Sequence, residues 1–212
     1  MSALAGALAR CPVIAIVRAR SVRYVPAVLD VLAGAGVTAV EVTLTTPGGL
    51  RAIEGAATTP GLVVGAGTVL HAAQARAAVD AGARYLVTPA VVPDVIAAGV
   101  DAGVPVVCGA LSPTEILAAA RAGAALVKVF PIGTVGGVGY LRAVRAPLPD
   151  IPLVPTGGIS VAEGVGYLRA GARAVGMGGP LVGDAADGGD LAALAGRAET
   201  LVRTLRPEPA DA

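Results

Sequence analysis

A lysine stands where a strand should be wholly apolar. Lys128 lies within Leu126-Val127-Lys128-Val129-Phe130-Pro131, and the other 15 of the chain's 16 basic residues are arginine. Arginine therefore fills the ordinary surface cation positions, and a solvated role explains Lys128 poorly. Leu, Val and Phe around an amine desolvate it, which disfavours the ammonium form and leaves a neutral nucleophile for a carbonyl. The competing reading is a cation snorkelling from the end of a strand. A second candidate is Glu41, in Ala39-Val40-Glu41-Val42-Thr43-Leu44-Thr45. The period of two puts Glu41, Thr43 and Thr45 on one face of a strand and Val40, Val42 and Leu44 on the other. An acid on an inward face needs either a partner or a proton to move, so structural and catalytic roles are both open.

These side chains need a scaffold, and the sequence spells one out. Short Val/Ile/Leu runs recur eight times, at Val13–Val17, Ala39–Leu44, Val63–Val69, Tyr85–Pro89, Pro105–Ala110, Leu126–Pro131, Pro152–Gly158 and Ala174–Gly179. Near-continuous apolarity marks parallel strands covered on both faces, and starts spaced by roughly 20–26 residues leave room for one helix each. Ala/Leu-rich helical stretches fit those intervals at Tyr24–Ala33, Ala72–Ala81, Val92–Ala102, Pro113–Arg121, Val138–Arg145 and Ala162–Ala170. Ala-Gly pairs at Ala35-Gly36, Ala81-Gly82, Ala102-Gly103, Ala122-Gly123 and Ala170-Gly171 sit between helix and next strand, where glycine caps a helix with positive φ. The pattern predicts an α/β protein, a single (β/α)8 TIM barrel with a short N-terminal helix, ahead of a doubly wound open sheet. Residues 1–206 form the one domain and 207–212 a loose tail.

In a barrel the chemistry belongs at the C-terminal ends of the strands. Arg18 closes strand 1, Thr68 strand 3, Pro89 strand 4, and Phe130 shares the inward face of Lys128. Strands 7 and 8 end in Pro155-Thr156-Gly157-Gly158 and Gly176-Met177-Gly178-Gly179. Their backbone N–H groups would suit an anion, with tight turns needing φ > 0 as the competing reading of such glycine pairs.

Composition removes several classes. A net charge of +1 with no basic block argues against nucleic acid or an anionic membrane surface. Residues 55–75 carry no charge, but Pro60, Gly61, Gly65 and Gly67 interrupt them, so no membrane span is expected. Ser2 to Arg10 lacks the basic start of a signal peptide, and a cytoplasmic protein is expected. Cys11 and Cys108 lie beside or within strands and read as core thiols. His71 is the only histidine, and no ligand cluster calls for a metal.

Six motifs in register carry a resemblance. They are Pro12-Val13-Ile14-Ala15-Ile16-Val17-Arg18-Ala19, Glu41-Val42-Thr43-Leu44, Gly65-Ala66-Gly67-Thr68-Val69, Val87-Thr88-Pro89, Val127-Lys128-Val129-Phe130-Pro131 and Pro155-Thr156-Gly157-Gly158-Ile159. Together they resemble the class I 2-keto-3-deoxy-6-phosphogluconate (KDPG) aldolase family, which also covers 4-hydroxy-2-oxoglutarate (KHG) aldolase activity. The resemblance implies a Schiff base at Lys128, with Glu41 as acid/base through a bound water. It implies that Arg18 and Thr68 hold the substrate's carboxylate end, that Pro89 and Phe130 line the pocket, and that Thr156, Gly157, Gly158 and Gly179 form the phosphate end. The implied partner is a small 2-keto acid, phosphorylated, handled by a homotrimer without cofactor or metal. The galactonate epimer and 4-hydroxy-2-oxoglutarate are the neighbouring substrates. A sugar-phosphate isomerase barrel would share the glycines while leaving the lysine unexplained, and a non-catalytic phosphate-ligand binding protein is the non-enzyme alternative.

The chain departs from that family pattern in three ways. Thr45 and Thr46 stand where some members carry arginine, which shifts carboxylate binding onto Arg18. Pro180 stands where many carry serine, removing a hydroxyl and a backbone donor from the phosphate end. Cys108 replaces a proline.

Overall fold

The computed structural model describes residues 2–205, and the expected tail at 207–212 lies outside them. Eight parallel strands are present: β1 Val13–Val17, β2 Ala39–Thr43, β3 Val63–Gly67, β4 Leu86–Val87, β5 Val106–Ala110, β6 Leu126–Val129, β7 Leu153–Pro155 and β8 Val175–Met177. Neighbours pair in chain order and β1 also pairs with β8. A single bridge between Thr156 and Gly176 brings the remaining seam, β7 to β8, together. The result is a nearly closed (β/α)8 barrel, as the spacing of apolar runs predicted.

Helices α1 Ala3–Arg10, α2 Val25–Gly34, α3 Gly49–Ala56, α4 Ala72–Asp80, α5 Pro93–Asp101, α6 Pro113–Arg121, α7 Gly137–Arg145, α8 Val161–Arg169, the short α9 Gly179–Val182 and α10 Leu191–Leu205 surround the strands. Three of them, α3, the single-turn α9 and α10, were not among the helical stretches picked out above. Gly48 and Gly49 open α3, and Gly55 sits in its last turn, which hides its amphipathic face behind turn-forming residues. Beyond the eighth strand no further interval announces α10, yet its Leu194, Ala198, Leu201 and Leu205 are buried in the outer core. Several strands are shorter than their apolar runs, β4 and β7 among them, because the runs continue into loops at the strand ends.

Two apolar layers follow from the alternation of side chains. Val13, Ala15, Val17, Val40, Val42, Ala66, Val127 and Val129 face outward and pack against the helices in one large cluster. Ile14, Ala39, Tyr85, Val87, Val107, Leu126 and Val154 face the lumen in a second, and Leu4, Ala7 and Leu8 of α1 join them from below. Helix α1 thus stops the N-terminal end of the barrel. Six polar or charged residues are buried as well, Glu41, Thr43, Thr46, Thr88, Lys128 and Thr156. No described helix is long and apolar enough to cross a membrane.

Candidate active site

The upper lumen opens into a cleft of about 860 Å³. Arg18, Thr68, Pro89, Lys128, Phe130, Thr156, Gly157, Gly158 and Gly179 all line it, so nine of the ten residues singled out from sequence converge there. The tenth, Glu41, lies just beneath the floor at 1% exposure, and Lys128 itself is only 8% exposed. β2 and β6 are far apart in sequence, but closure of the barrel aims both side chains across its axis. The Lys128 Nζ stands 3.9 Å from Glu41 Oε2, close enough for an ion pair and too long for a direct hydrogen bond. It also lies 5.4 Å from the centre of the Phe130 ring, the neighbour that the alternation of β6 places on the same face.

Burial pushes the Glu41 carboxyl above its ordinary value, while the positive charges of Lys128 and then Arg18 pull it back. Desolvation is the larger effect, so this acid is poised nearer to neutrality than an exposed glutamate, which is what a group that both takes and returns a proton requires.

Its space was cleared by glycines. A Cβ on Gly67 would stand 1.9 Å from Glu41 Oε1, so only glycine at that position lets the carboxylate lie over β3. A Cβ on Gly109 would meet the Pro89 carbonyl carbon at 2.2 Å, and one on Gly176 would meet Thr156 Oγ1 at 2.3 Å. By pattern Gly65-Ala66-Gly67 is no more than the end of a strand, whereas in the structure Gly67 is a recess for Glu41. Gly67→Ala is therefore expected to displace the carboxylate and lower kcat about 100-fold, the scale for misplacing a reacting group by about an ångström. Steady-state rates measured beside a melting curve check this, since an unchanged kcat would mean the carboxylate has room to spare.

The mouth around this pair is held by short polar contacts. Arg18 is exposed at the end of β1 and donates to Thr68 Oγ1 at 3.3 Å. Thr68 has φ +57, unusual for a β-branched residue, and such strain persists where surrounding structure imposes it. Thr46, which stood out only as a missing arginine, is 1% exposed and accepts the Ala19 N–H at 3.1 Å, and it shares a hydrogen bond with Thr43. It ties the turn carrying Arg18 to the end of β2, a role that composition alone does not reveal. Thr88 does the same at β4, donating to the Ala90 carbonyl and accepting the Gly109 N–H.

At the opposite rim, Gly157 and Gly158 have φ +97 and +74. Among the described residues, the N–H groups of Gly157, Gly158 and Gly179 donate to no loop or cap acceptor. Such turned-out N–H groups suit an anion. Pro180 lines the same rim as the second residue of α9, so Gly179 is the donor left in that turn. Cys108 is buried in the outer core with its Sγ near the Ala90 and Gly109 carbonyls, and burial pushes its thiol up, so it sits apart from the cleft as a core thiol. Cys11 is buried as well. No group of three or more His, Cys, Asp or Glu able to hold a metal occurs among the described residues.

Known proteins share both the sequence and the barrel. The family model of KDPG and KHG aldolase matches residues 5–195. A probable 2-dehydro-3-deoxy-6-phosphogalactonate aldolase of Rhizobium meliloti is 38% identical over 183 residues, 85% of this chain and 86% of that protein. A 2-dehydro-3-deoxy-phosphogluconate aldolase of Pseudoalteromonas atlantica is 34% identical over 158 residues, 74% of each. Among solved structures, the KDPG aldolase of Legionella pneumophila, with pyruvate captured at low pH as a covalent carbinolamine intermediate, superposes with a TM-score of 0.84 at 27% identity, covering 93% of this chain and 97% of that one.

Proposed function

The chain belongs to the KDPG and KHG aldolase family, and on that premise we propose that Lys128 and Glu41 are its catalytic pair. The protein is a class I aldolase, a carbon–carbon lyase, and its reading here is cleavage of 2-keto-3-deoxy-6-phosphogluconate to pyruvate and glyceraldehyde 3-phosphate. The single observation that carries the assignment of residues is the buried Lys128–Glu41 pair, 3.9 Å apart at the floor of the cleft.

The chemistry runs from that pair. The neutral Lys128 amine attacks the C2 keto carbon, and loss of water gives an iminium whose positive nitrogen draws electrons from C3. Glu41, through a water, takes the C4 hydroxyl proton. The C3–C4 pair of electrons moves toward the iminium, C4 becomes the aldehyde of glyceraldehyde 3-phosphate, and an enamine of pyruvate is left on Lys128. Glu41 returns a proton toward C3, and hydrolysis of the new iminium releases pyruvate and the free amine. Arg18, with Thr68 in its reach, is placed to grip the substrate carboxylate by a two-pronged hydrogen bond. Pro89 and Phe130 flank the chain of the substrate, Thr156 sits at the base of the far rim, and the N–H groups of Gly157, Gly158 and Gly179 meet the phosphate. Because the iminium is the electron sink, no metal or cofactor enters the scheme.

Borohydride reduction in the presence of pyruvate tests the reading. A stable mass addition on the peptide carrying Lys128 is expected, and an unmodified peptide would remove Lys128 from its role. The glycine rim is tested separately by comparing kcat/KM for the phosphorylated substrate with its unphosphorylated counterpart. A clear preference for the phosphate ester is expected, and equal efficiency would discard the anion site.

A second reading is favoured by one observation. The Rhizobium relative, which aligns over 85% of this chain, carries the name of an aldolase for the galactonate epimer. The two epimers differ at C4, the carbon whose hydroxyl proton Glu41 would take. Turnover of both by the same preparation decides between them. On the family resemblance alone we also propose a cytoplasmic homotrimer, for which a monomeric mass in solution would be the contrary result.

A further inference from the structure

Below the catalytic pair lies a hydroxyl that the mechanism does not use. Tyr85, the residue before β4, has no measurable exposure, and its Oη has no hydrogen-bond partner among the described residues. Burying a hydroxyl without a partner is costly, which a folded chain tolerates where the group has a use. The surroundings show which way it points. A Cβ on Gly65 would stand 2.5 Å from the Tyr85 ring carbons Cε2 and Cζ, so the hydroxyl end of the ring passes directly over Gly65. Gly65 pairs in register with Glu41, and Ala66 with Leu86. Glu41, Gly65 and Tyr85 therefore occupy one level of three successive strands, and the bare glycine lets the two large side chains approach across it.

Gly67, over which the Glu41 carboxylate lies, is two residues further along the same face of β3. Two residues of strand span about 6.6 Å. That is the spacing of the two glycines; the phenol carbon Cζ stands 2.5 Å from the Cβ position of Gly65 and Glu41 Oε1 1.9 Å from that of Gly67, the Tyr85 hydroxyl makes no direct hydrogen bond, and one water accepting from a phenol and donating to a carboxylate bridges oxygens up to about 5.5 Å apart. Both groups are polar and buried, and the Tyr85 hydroxyl has no partner while Glu41 has its ion pair to Lys128, the kind of site in which interior water is retained.

We propose that the Tyr85 hydroxyl holds a buried water against the side of the Glu41 carboxylate facing away from the substrate, making Tyr85 a positioning residue for the acid/base. Tyr85 touches no reacting atom. Its hydroxyl donates to the water, the water donates to Glu41, and the carboxylate is kept turned toward Lys128 and stabilised in its charged form. This rests on Glu41 being the acid/base. Glu41 is also faced by Lys128 from β6 and by Arg18 from the end of β1, both cations that favour the same charged form. Burial, with the Glu41 charge nearby, holds the Tyr85 phenol well above its ordinary value, so it remains a donor across the working pH range.

Tyr85→Phe keeps the ring over Gly65 and removes only the donor. The expected result is a fall in kcat of about tenfold, the size of a lost hydrogen bond to a charged group, with KM little changed. The acidic limb of the kcat profile should also move upward by about one pH unit, because a carboxylate that loses a donor protonates more readily. A merely structural tyrosine would lower the melting temperature and leave that limb in place, which overturns the proposal. Borohydride trapping of pyruvate on Lys128 in the same variant separates the two hypotheses. A trapped adduct with an unmoved pH profile removes Tyr85 alone, whereas no adduct in the unmodified protein removes the catalytic pair. A diffraction map of the unmodified protein gives an independent answer should the variant fail to fold. Density for a water within hydrogen-bonding distance of both Tyr85 Oη and Glu41 is expected, and its lack overturns the bridge.

Discussion

Lys128→Met should abolish turnover, with kcat falling by roughly 10⁴-fold or more, the scale on which enzymes lose activity when a covalent nucleophile is removed. Methionine keeps a long, flexible apolar stem beside Leu126 and Phe130, so the lumen stays filled. What disappears is the amine, and with it the iminium that lets the C3–C4 bond release its electrons. Lys128→Arg should be as inactive, because guanidinium keeps the positive charge near Glu41 but remains protonated and cannot add to a keto carbon. The two variants together distinguish a nucleophile from a cation. If the arginine variant retained substantial activity, charge would be the contribution of Lys128. Neither variant should take up pyruvate on borohydride reduction, as read by the mass of the intact chain. Loss of rate with the adduct still present would place the Schiff base elsewhere.

For Glu41→Gln the expected loss is about 10²–10⁴-fold in kcat, the usual contribution of one positioned acid/base. Glutamine preserves the shape that Gly67 accommodates, so the lesion is the proton and not the packing. The pyruvate adduct at Lys128 should still form, though more slowly, since the amine survives. The pH profile carries the sharper expectation. Cleavage needs the carboxylate, and burial raises the pH at which Glu41 gains its proton. Activity in the unmodified enzyme should therefore fall on acidification at a pH above that of an ordinary glutamate. In the glutamine variant that acidic limb should vanish, and a limb that stays would belong to another group.

Much of this was legible because the barrel repeats one unit. Each apolar run and each Ala-Gly cap announces a strand or a helix end by local rules, and the alternation in β2 and β6 suffices to point Glu41 and Lys128 inward. Nine of the ten named residues therefore line the cleft, with Glu41 beneath it. What local rules could not give is which side chains meet across the axis. Gly67 as the recess of Glu41, Gly65 beneath Tyr85, and Thr46 holding the turn of Arg18 are contacts between strands, decided by register and closure. A glycine inside a strand hints at a close approach without naming the visitor. The helices α3 and α10 escaped for a different reason: one is opened by glycines, and the other follows the last strand, where no next strand frames it.

With Leu4, Ala7 and Leu8 stopping the lower end of the lumen, the described barrel is a well with a single mouth, and what enters last stands in the way of what lies beneath. On the role proposed for Lys128, the keto end of the substrate goes down first to meet it, leaving the phosphate end uppermost. After cleavage the aldehyde is the upper fragment and is no longer tethered, while the pyruvate half is beneath it and still bonded to the protein. Departure is thus a queue: aldehyde first, pyruvate second. Run toward synthesis, the same stopper makes pyruvate the compulsory first guest.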